Sequence, residues 1–351
     1  MKDIYRYGSK LFFLVLISCL FSIKGFADET SELMKQVGFS YKINHPSNQI
    51  GGPGALNLMM KSGQEQTVNV TIKNTSNQDI TILLSLNGAR TNGNGGLEYG
   101  PNRFKADASM AYDLPDLVEI PSELKIPKNN SQDLELKIKM PKVGYKGIVT
   151  GGIQMIEKES GDVATSETMI VNKVAYLFGI TLQTEETKLK PALELQKVYP
   201  EQANFRNAIY LDVANTQAMK VKGLMLDVEI TKAGQTEVLY ESKKNSMEMA
   251  PNTLMSYPIS FGGEKMVSGK YTAHVLASAH EKEWQWEQDF TITKEQADLF
   301  NQKDVNLVQE RGLDWQLIVI IVVSVVFVIT GIYVIRRLSK KKKKSRKRKK
   351  K

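Results

Sequence analysis

The stretch TVNVTIKNTSNQDITILLSL, residues 67 to 86, places an apolar side chain at every second position on either side of a polar turn. Val68, Val70 and Ile72 alternate with Thr67, Asn69, Thr71 and Lys73. After Asn74 to Gln78 the pattern resumes with Ile80, Ile82, Leu84 and Leu86. Successive side chains of an extended strand point to opposite faces, so this spacing buries one face and wets the other. It predicts half-buried antiparallel sheet, two strands joined at the Asn-Thr turn.

The same grammar returns 141 residues later, where Ile209, Leu211 and Val213 precede Asn215-Thr216 and Leu224, Leu226, Val228 and Ile230 follow. Leu134, Leu136, Ile138 and Met140 alternate against Asp133, Glu135, Lys137 and Lys139 until Pro141 stops the strand. Helical periodicity is scarce before Thr293. Short alternating strands with turn signals and no intervening amphipathic helices predict an all-β chain of two tandem immunoglobulin-like sandwiches, 28–183 and 184–292, with the joint near Glu185 to Pro191. The polar stretch 293–316 reads as a spacer.

The ends obey other rules. A basic stretch ending at Lys10, an apolar run Leu11 to Ile23 and small residues at Gly25 and Ala27 predict a secretory signal cut between Ala27 and Asp28. Leu16-Ile17-Ser18-Cys19 also has the look of a lipidation box, but the apolar run continues past the cysteine. Residues 317–335 carry no charge and are long enough for a membrane helix, with Trp315 and Tyr333 as interfacial anchors. Arg336 and Arg337 open a basic tail, 336–351, that positive-inside bias assigns to the cytoplasm. The expected topology is a single-pass cell-membrane protein with its modules outside, its span in lipid and its tail inside.

The formal charge of +9 misdescribes the modules, because the tail alone holds thirteen Lys and Arg and the first 27 residues a net +3, which leaves −7 for residues 28–335. A nucleic-acid partner is therefore not expected. The single cysteine, Cys19, falls in the signal, so the exported part has no thiol for a disulfide, a zinc site or a nucleophile. His45, His274 and His280 show no ligand spacing, and no nucleophile-elbow, zincin or phosphate-loop motif occurs. No cofactor or metal is expected. Asp113 with Asp116, or Glu119 with Glu123, would serve glycoside hydrolysis only if the fold set them about 5 to 10 Å apart.

Two features suggest contacts. The glycine-rich run from Gly88 to Pro101 reads as a long hairpin loop with several left-handed positions or, more sharply, as an adaptable binding loop, and its Gly93, Asn94, Gly95, Gly96 and Tyr99, with Tyr112 and Asp113 downstream, are candidate wall or partner contacts. As an exposed loop it could be shortened without changing the melting of the fold. Trp284 and Trp286 share one face of a strand and fit core packing against Tyr271 and Phe290 or, as the alternative, an exposed aromatic platform.

Several segments together resemble the WxL-interacting protein family of Gram-positive surface proteins. They are Phe39 to Ile50, Tyr99-Gly100, Tyr112-Asp113, the run from Pro141 to Ile153 with Gly144, Gly147, Gly151 and Gly152, the Asn215-Thr216 turn, Gly269-Lys270-Tyr271, and Trp284 to Phe290. The resemblance implies a first module that binds peptidoglycan, a second that binds host extracellular proteins, and association with secreted WxL-domain proteins. This chain has Trp-x-Trp and no Trp-x-Leu, so it looks like the membrane-held partner. The expectation is a non-enzymatic scaffold. The rival readings are a wall sensor signalling through the tail and a wall hydrolase.

Overall fold

The computed structural model describes residues 38–158, 174–186, 188–307 and 319–330. The signal with Ala27 and Asp28, the anchors Trp315 and Tyr333, and the tail with Arg336 and Arg337 lie outside them. Residues 319–330 are helical and exposed. Among the described residues no helix is long and apolar enough to cross a membrane.

The chain is mostly β-sheet, organised around two separate cores. In the first module β1 (Phe39–Ile43), β3 (Glu65–Asn74), β9 (Ser131–Lys139) and β7 (Val118–Glu119) form one sheet in that order. Facing it are β2 (Leu56–Met59), β11 (Ala175–Gln183), β10 (Ile148–Glu157), β4 (Ile80–Gly88) and β8 (Glu123–Ile126). The second module has β12 (Leu193–Ala203), β13 (Arg206–Asn215) and β16 (Leu254–Ser260) over β15 (Val238–Met249), β14 (Val221–Lys232), β17 (Gly269–Ala279) and β18 (Lys282–Ile292). With β2 and β7 set aside, the two modules have the same strand order in both sheets.

The two strands that flank the Asn74 turn do not pair with each other. β3 and β4 lie in opposite sheets, β3 bonding to β1 and β9, and β4 to β10 and β8. Val68, Val70 and Ile72 therefore share one core with Ile80, Ile82 and Leu84 from the facing sheet. Alternation demands only that one face be dry, and a facing sheet about 10 Å away dries it as well as a hairpin partner's neighbours would. The Asn215 turn connects β13 to β14 in the same way.

The stretch expected to be a spacer begins as part of the second module. Thr293 and Gln296 form a capping box for α2, Lys294–Lys303. Ala297 is buried and Phe300 packs against the second core. Asp304, also buried, accepts the Asn207 backbone N–H at 2.7 Å. Two apolar residues one turn apart and one buried carboxylate suffice to dock a helix that is otherwise polar.

Candidate functional site

Between β4 and β8 the chain takes a long excursion, from Ala89 to Ser122, where the second module needs only the short β14–β15 connection. This insertion carries all seven candidate contact residues. It holds the small hairpin of β5 (Arg90–Thr91) and β6 (Leu97–Glu98), then α1 (Leu114–Leu117).

The hairpin tip is seated on the second module. Thr91 Oγ1 lies 2.6 Å from Thr253 Oγ1 and accepts the Ala250 N–H at 3.0 Å, both buried. The Gly95 carbonyl accepts the Glu248 N–H at 2.8 Å, and Asn94 Oδ1 accepts Lys244 Nζ at 3.4 Å. At Gly95, φ is +71° and an added Cβ would stand 2.5 Å from Met247, so both backbone and space call for glycine. At Gly93 an added Cβ would stand 2.6 Å from the Ser256 carbonyl.

A second row of contacts follows. The Asp107 N–H donates to Asn252 O at 2.8 Å and the Leu254 N–H to Lys105 O at 3.2 Å. Asn252 Nδ2 donates to Ser109 Oγ at 2.9 Å. Gln196 Nε2 donates to Asp107 Oδ2 at 2.6 Å. Burial alone would raise the pKa of Asp107, but hydrogen bonds from the Ser109 side chain and backbone, from Gln196 and from the Ala108 backbone outweigh it and hold it below the usual carboxylate value. From β10, the Ile148 N–H reaches Ala218 O at 2.8 Å.

The glycine-rich run is therefore a hairpin, as its composition allowed, and its tip is packed against the second module instead of standing free. Of the seven candidates only Asn94 is exposed. Gly93, Gly95 and Gly96 build the seated hairpin, with the Gly96 N–H donating to Asn92 Oδ1 at 2.9 Å. Tyr99 lies over Gly152 and takes the Lys220 ammonium 5.4 Å from its ring centre. Tyr112 meets Tyr145 edge-on at 5.6 Å. Asp113 pairs with Arg90 and accepts the Leu114 N–H at 2.8 Å, capping α1. Glycine richness marks close backbone approach, and here another module makes the approach.

Two other surfaces are open. Beside α1, a cleft of about 720 Å³ runs along the outer face of β7, β9 and β3, lined by Glu65, Thr67, Asp116, Glu119, Lys137 and Lys139. Lys139 donates a hydrogen bond to Glu65 at 2.7 Å, which lowers the Glu65 pKa and raises that of Lys139. Sequence reading placed Lys137 and Lys139 on a wet strand face, but α1 as the opposite wall had no periodic signal. In the second module β15 is an edge strand whose one strand partner is β14; the hairpin covers its Glu248 end, and Val238 and Leu239 at the other end are exposed.

The remaining singled-out residues have packing or turn roles. Trp284 and Trp286 pack against the second core, where Tyr271 and Phe290 stack at 5.6 Å. His45 contacts Pro53 O at 3.2 Å, His274 bridges Thr231 and Glu287, and His280 Nε2 accepts the Lys222 N–H at 3.3 Å.

Two family models match. Residues 39–157 match the peptidoglycan binding domain of the WxL Interacting Protein, and residues 165–302 match its host binding domain. The division falls one strand ahead of the structural one, because β11 lies in the second range yet pairs with β10 and β2 of the first module. No curated protein matches the chain. Among solved structures, the CsuC–CsuE chaperone–tip adhesion subunit complex of Acinetobacter baumannii matches at 11% identity over 72% of this chain and 98% of that one, with a TM-score of 0.31. The YadV chaperone matches at 12% identity over 73% and 100%, with a TM-score of 0.28. A family 123 glycoside hydrolase from Clostridium perfringens matches at 16% identity over 42% and 28%, with a TM-score of 0.26.

Proposed function

This chain belongs to the WxL-interacting protein family, and we propose that it is a non-enzymatic scaffold that holds WxL-type surface proteins, and host extracellular proteins, at a fixed position relative to the peptidoglycan. Its two family domains are binding domains for peptidoglycan and host, which supports a wall-facing first module and a partner-facing second one. The modules are read as immunoglobulin-like, and residues 317–335 as the single membrane span that anchors them outside the cell.

One observation carries the scaffold reading: the first module's longest insertion is used to hold the second module, through Thr91 to Thr253 and Gly95 to Glu248. A ligand of one module is then rigidly related to a ligand of the other. For the wall polymer, with its hydroxyls, amides, carboxylates and amines, the cleft of Glu65, Asp116, Glu119, Lys137 and Lys139 is the best-suited surface. For a protein partner, the β15 edge offers unpaired main chain and two exposed apolar side chains, the elements of strand addition.

The test is a pull-down with the soluble 28–312 fragment on purified wall and on a WxL protein. Lys137→Glu with Lys139→Glu should lower wall retention several-fold and leave the WxL interaction intact. Undiminished wall retention would remove the cleft from the reading, and absence of both interactions in the parent fragment would remove the scaffold.

A further inference from the structure

The end of the second module away from the junction carries an apolar tip. β12 and β13 are joined by a two-residue turn, Asn204-Phe205, with φ of +51° and +60°. Such a turn favours glycine at its second position, and a bulky side chain in the left-handed region is strained. Phe205 nevertheless sits there, 71% exposed, with no core to enter. The equivalent two-residue turn between β17 and β18, at the junction end, holds the polar pair His280-Glu281.

The surroundings of Phe205 are of the same kind. Its carbonyl accepts the Val305 N–H at 3.0 Å, and Val305 is 65% exposed. Asn207, two residues on, donates to Asn301 Oδ1 at 2.8 Å, and Asn301 holds both backbone groups of Met266, next to Val267, which is 54% exposed. Arg206, Lys265 and Lys303 are exposed around this group; of the carboxylates beside it, Glu264 is turned to the Tyr240 hydroxyl at 3.4 Å and Asp304 is buried against the Asn207 N–H. A strained, exposed phenyl ring beside two exposed valines and three cations fits an anionic lipid surface, where the ring enters the acyl boundary and the cations meet the headgroups.

Where the chain goes next supplies the occupant. It leaves this end after Val305, and nine residues, 308–316, separate Leu307 from the apolar run that begins at Leu317. At full extension nine residues cover roughly 30 Å. If that run is the anchor, this tip is the part of the second module nearest its own membrane. We propose that Phe205, Val305 and Val267 form a membrane-docking surface that seats the second module on the bilayer. The proposal rests on the membrane-anchor reading, and its test separates the two.

The full chain, in a Cys19→Ser background, is reconstituted into liposomes containing about one-third anionic lipid and spin-labelled at one introduced cysteine at a time. Phe327→Cys reports the anchor, Phe205→Cys the tip and Glu281→Cys the junction end. Docking gives a 205 label more accessible to oxygen than to an aqueous nickel chelate, a 281 label with the reverse preference and a 327 label in the acyl core. A 205 label as water-exposed as 281, with 327 in the acyl core, overturns docking and leaves the anchor standing. A 327 label in water overturns the anchor and docking together. Independently, Phe205→Gly should raise the melting temperature by about 2–4 °C by relieving the turn. An unchanged or lower melting temperature would show that Phe205 serves the fold and would overturn the argument from strain.

Discussion

Asn74 and Asn215, 141 residues apart in sequence, hold the same corner of their respective sandwiches with the same bonds. Both are fully buried at the end of a strand. The Asn74 amide donates to the carbonyls of Gln78, Ile126 and Pro127, and that of Asn215 to Met219 and Ala250. Each side-chain oxygen accepts the N–H two residues on, at Ser76 and at Gln217. The following threonine N–H reaches the residue before the module's first strand, Thr75 to Gly38 O at 2.9 Å and Thr216 to Ala192 O at 3.1 Å. The repeated Asn-Thr dipeptide is thus the device by which the chain crosses from one sheet to the other.

Removing that device should cost more than an average substitution. Asn74→Ala or Asn215→Ala removes the buried amide that ties the corner together and leaves the Ser76 or Gln217 N–H without its acceptor, an unmet group costing about 1–3 kcal/mol, while the Pro127 and Ala250 carbonyls keep the Asn130 N–H and the Thr253 hydroxyl. We expect a loss of about 2–4 kcal/mol for either change in denaturant titration of the soluble fragment. A loss below about 1 kcal/mol would show that water replaces the amide.

The junction should couple the modules in unfolding. Gly95→Val forces a β-branched side chain into a left-handed position against Met247, at about 1–2 kcal/mol for the backbone and a further 1–3 for the overlap. Calorimetry should resolve one transition in the parent into two in this variant, as it should after deletion of residues 93–96. An unchanged single transition in both would restore the exposed loop expected from sequence.

Acid should loosen the same contact. The hydrogen bonds that hold the Asp107 pKa below its unfolded value of about 3.9 contribute stability above that pH. The contribution fades as pH falls through the lower folded value. Asp107→Asn should therefore be less stable than the parent at pH 7, with the gap narrowing below about pH 4. Parallel curves through that range would mean that the carboxylate contributes nothing to the junction.

The structural boundary should decide which fragment folds. Ending the first module at 158 removes β11 and its buried Phe178, Ile180 and Leu182, and exposes an edge of β10 and of β2. A fragment 38–186 should be monomeric with a cooperative melt, and 38–158 should aggregate or melt without cooperativity. Equal behaviour on size exclusion and circular dichroism would place the boundary where the family ranges put it.

What the sequence determined by itself was local. Alternation at Val68 to Ile72 and at Leu224 to Ile230 declared strands with one dry face, and the repeated Asn-Thr turn declared two copies of one plan. These patterns are legible because a side chain's face follows from its own backbone. What dries that face does not follow, because a facing sheet and a neighbouring strand make identical demands on spacing. So only the tertiary structure showed the Asn-Thr turns to be sheet-crossing corners. It likewise moved Lys294–Lys303 from spacer to docked helix and sent Gly93 to Gly96 into the second module. Glycine announces that something comes close to the backbone, and only the packed chain says what.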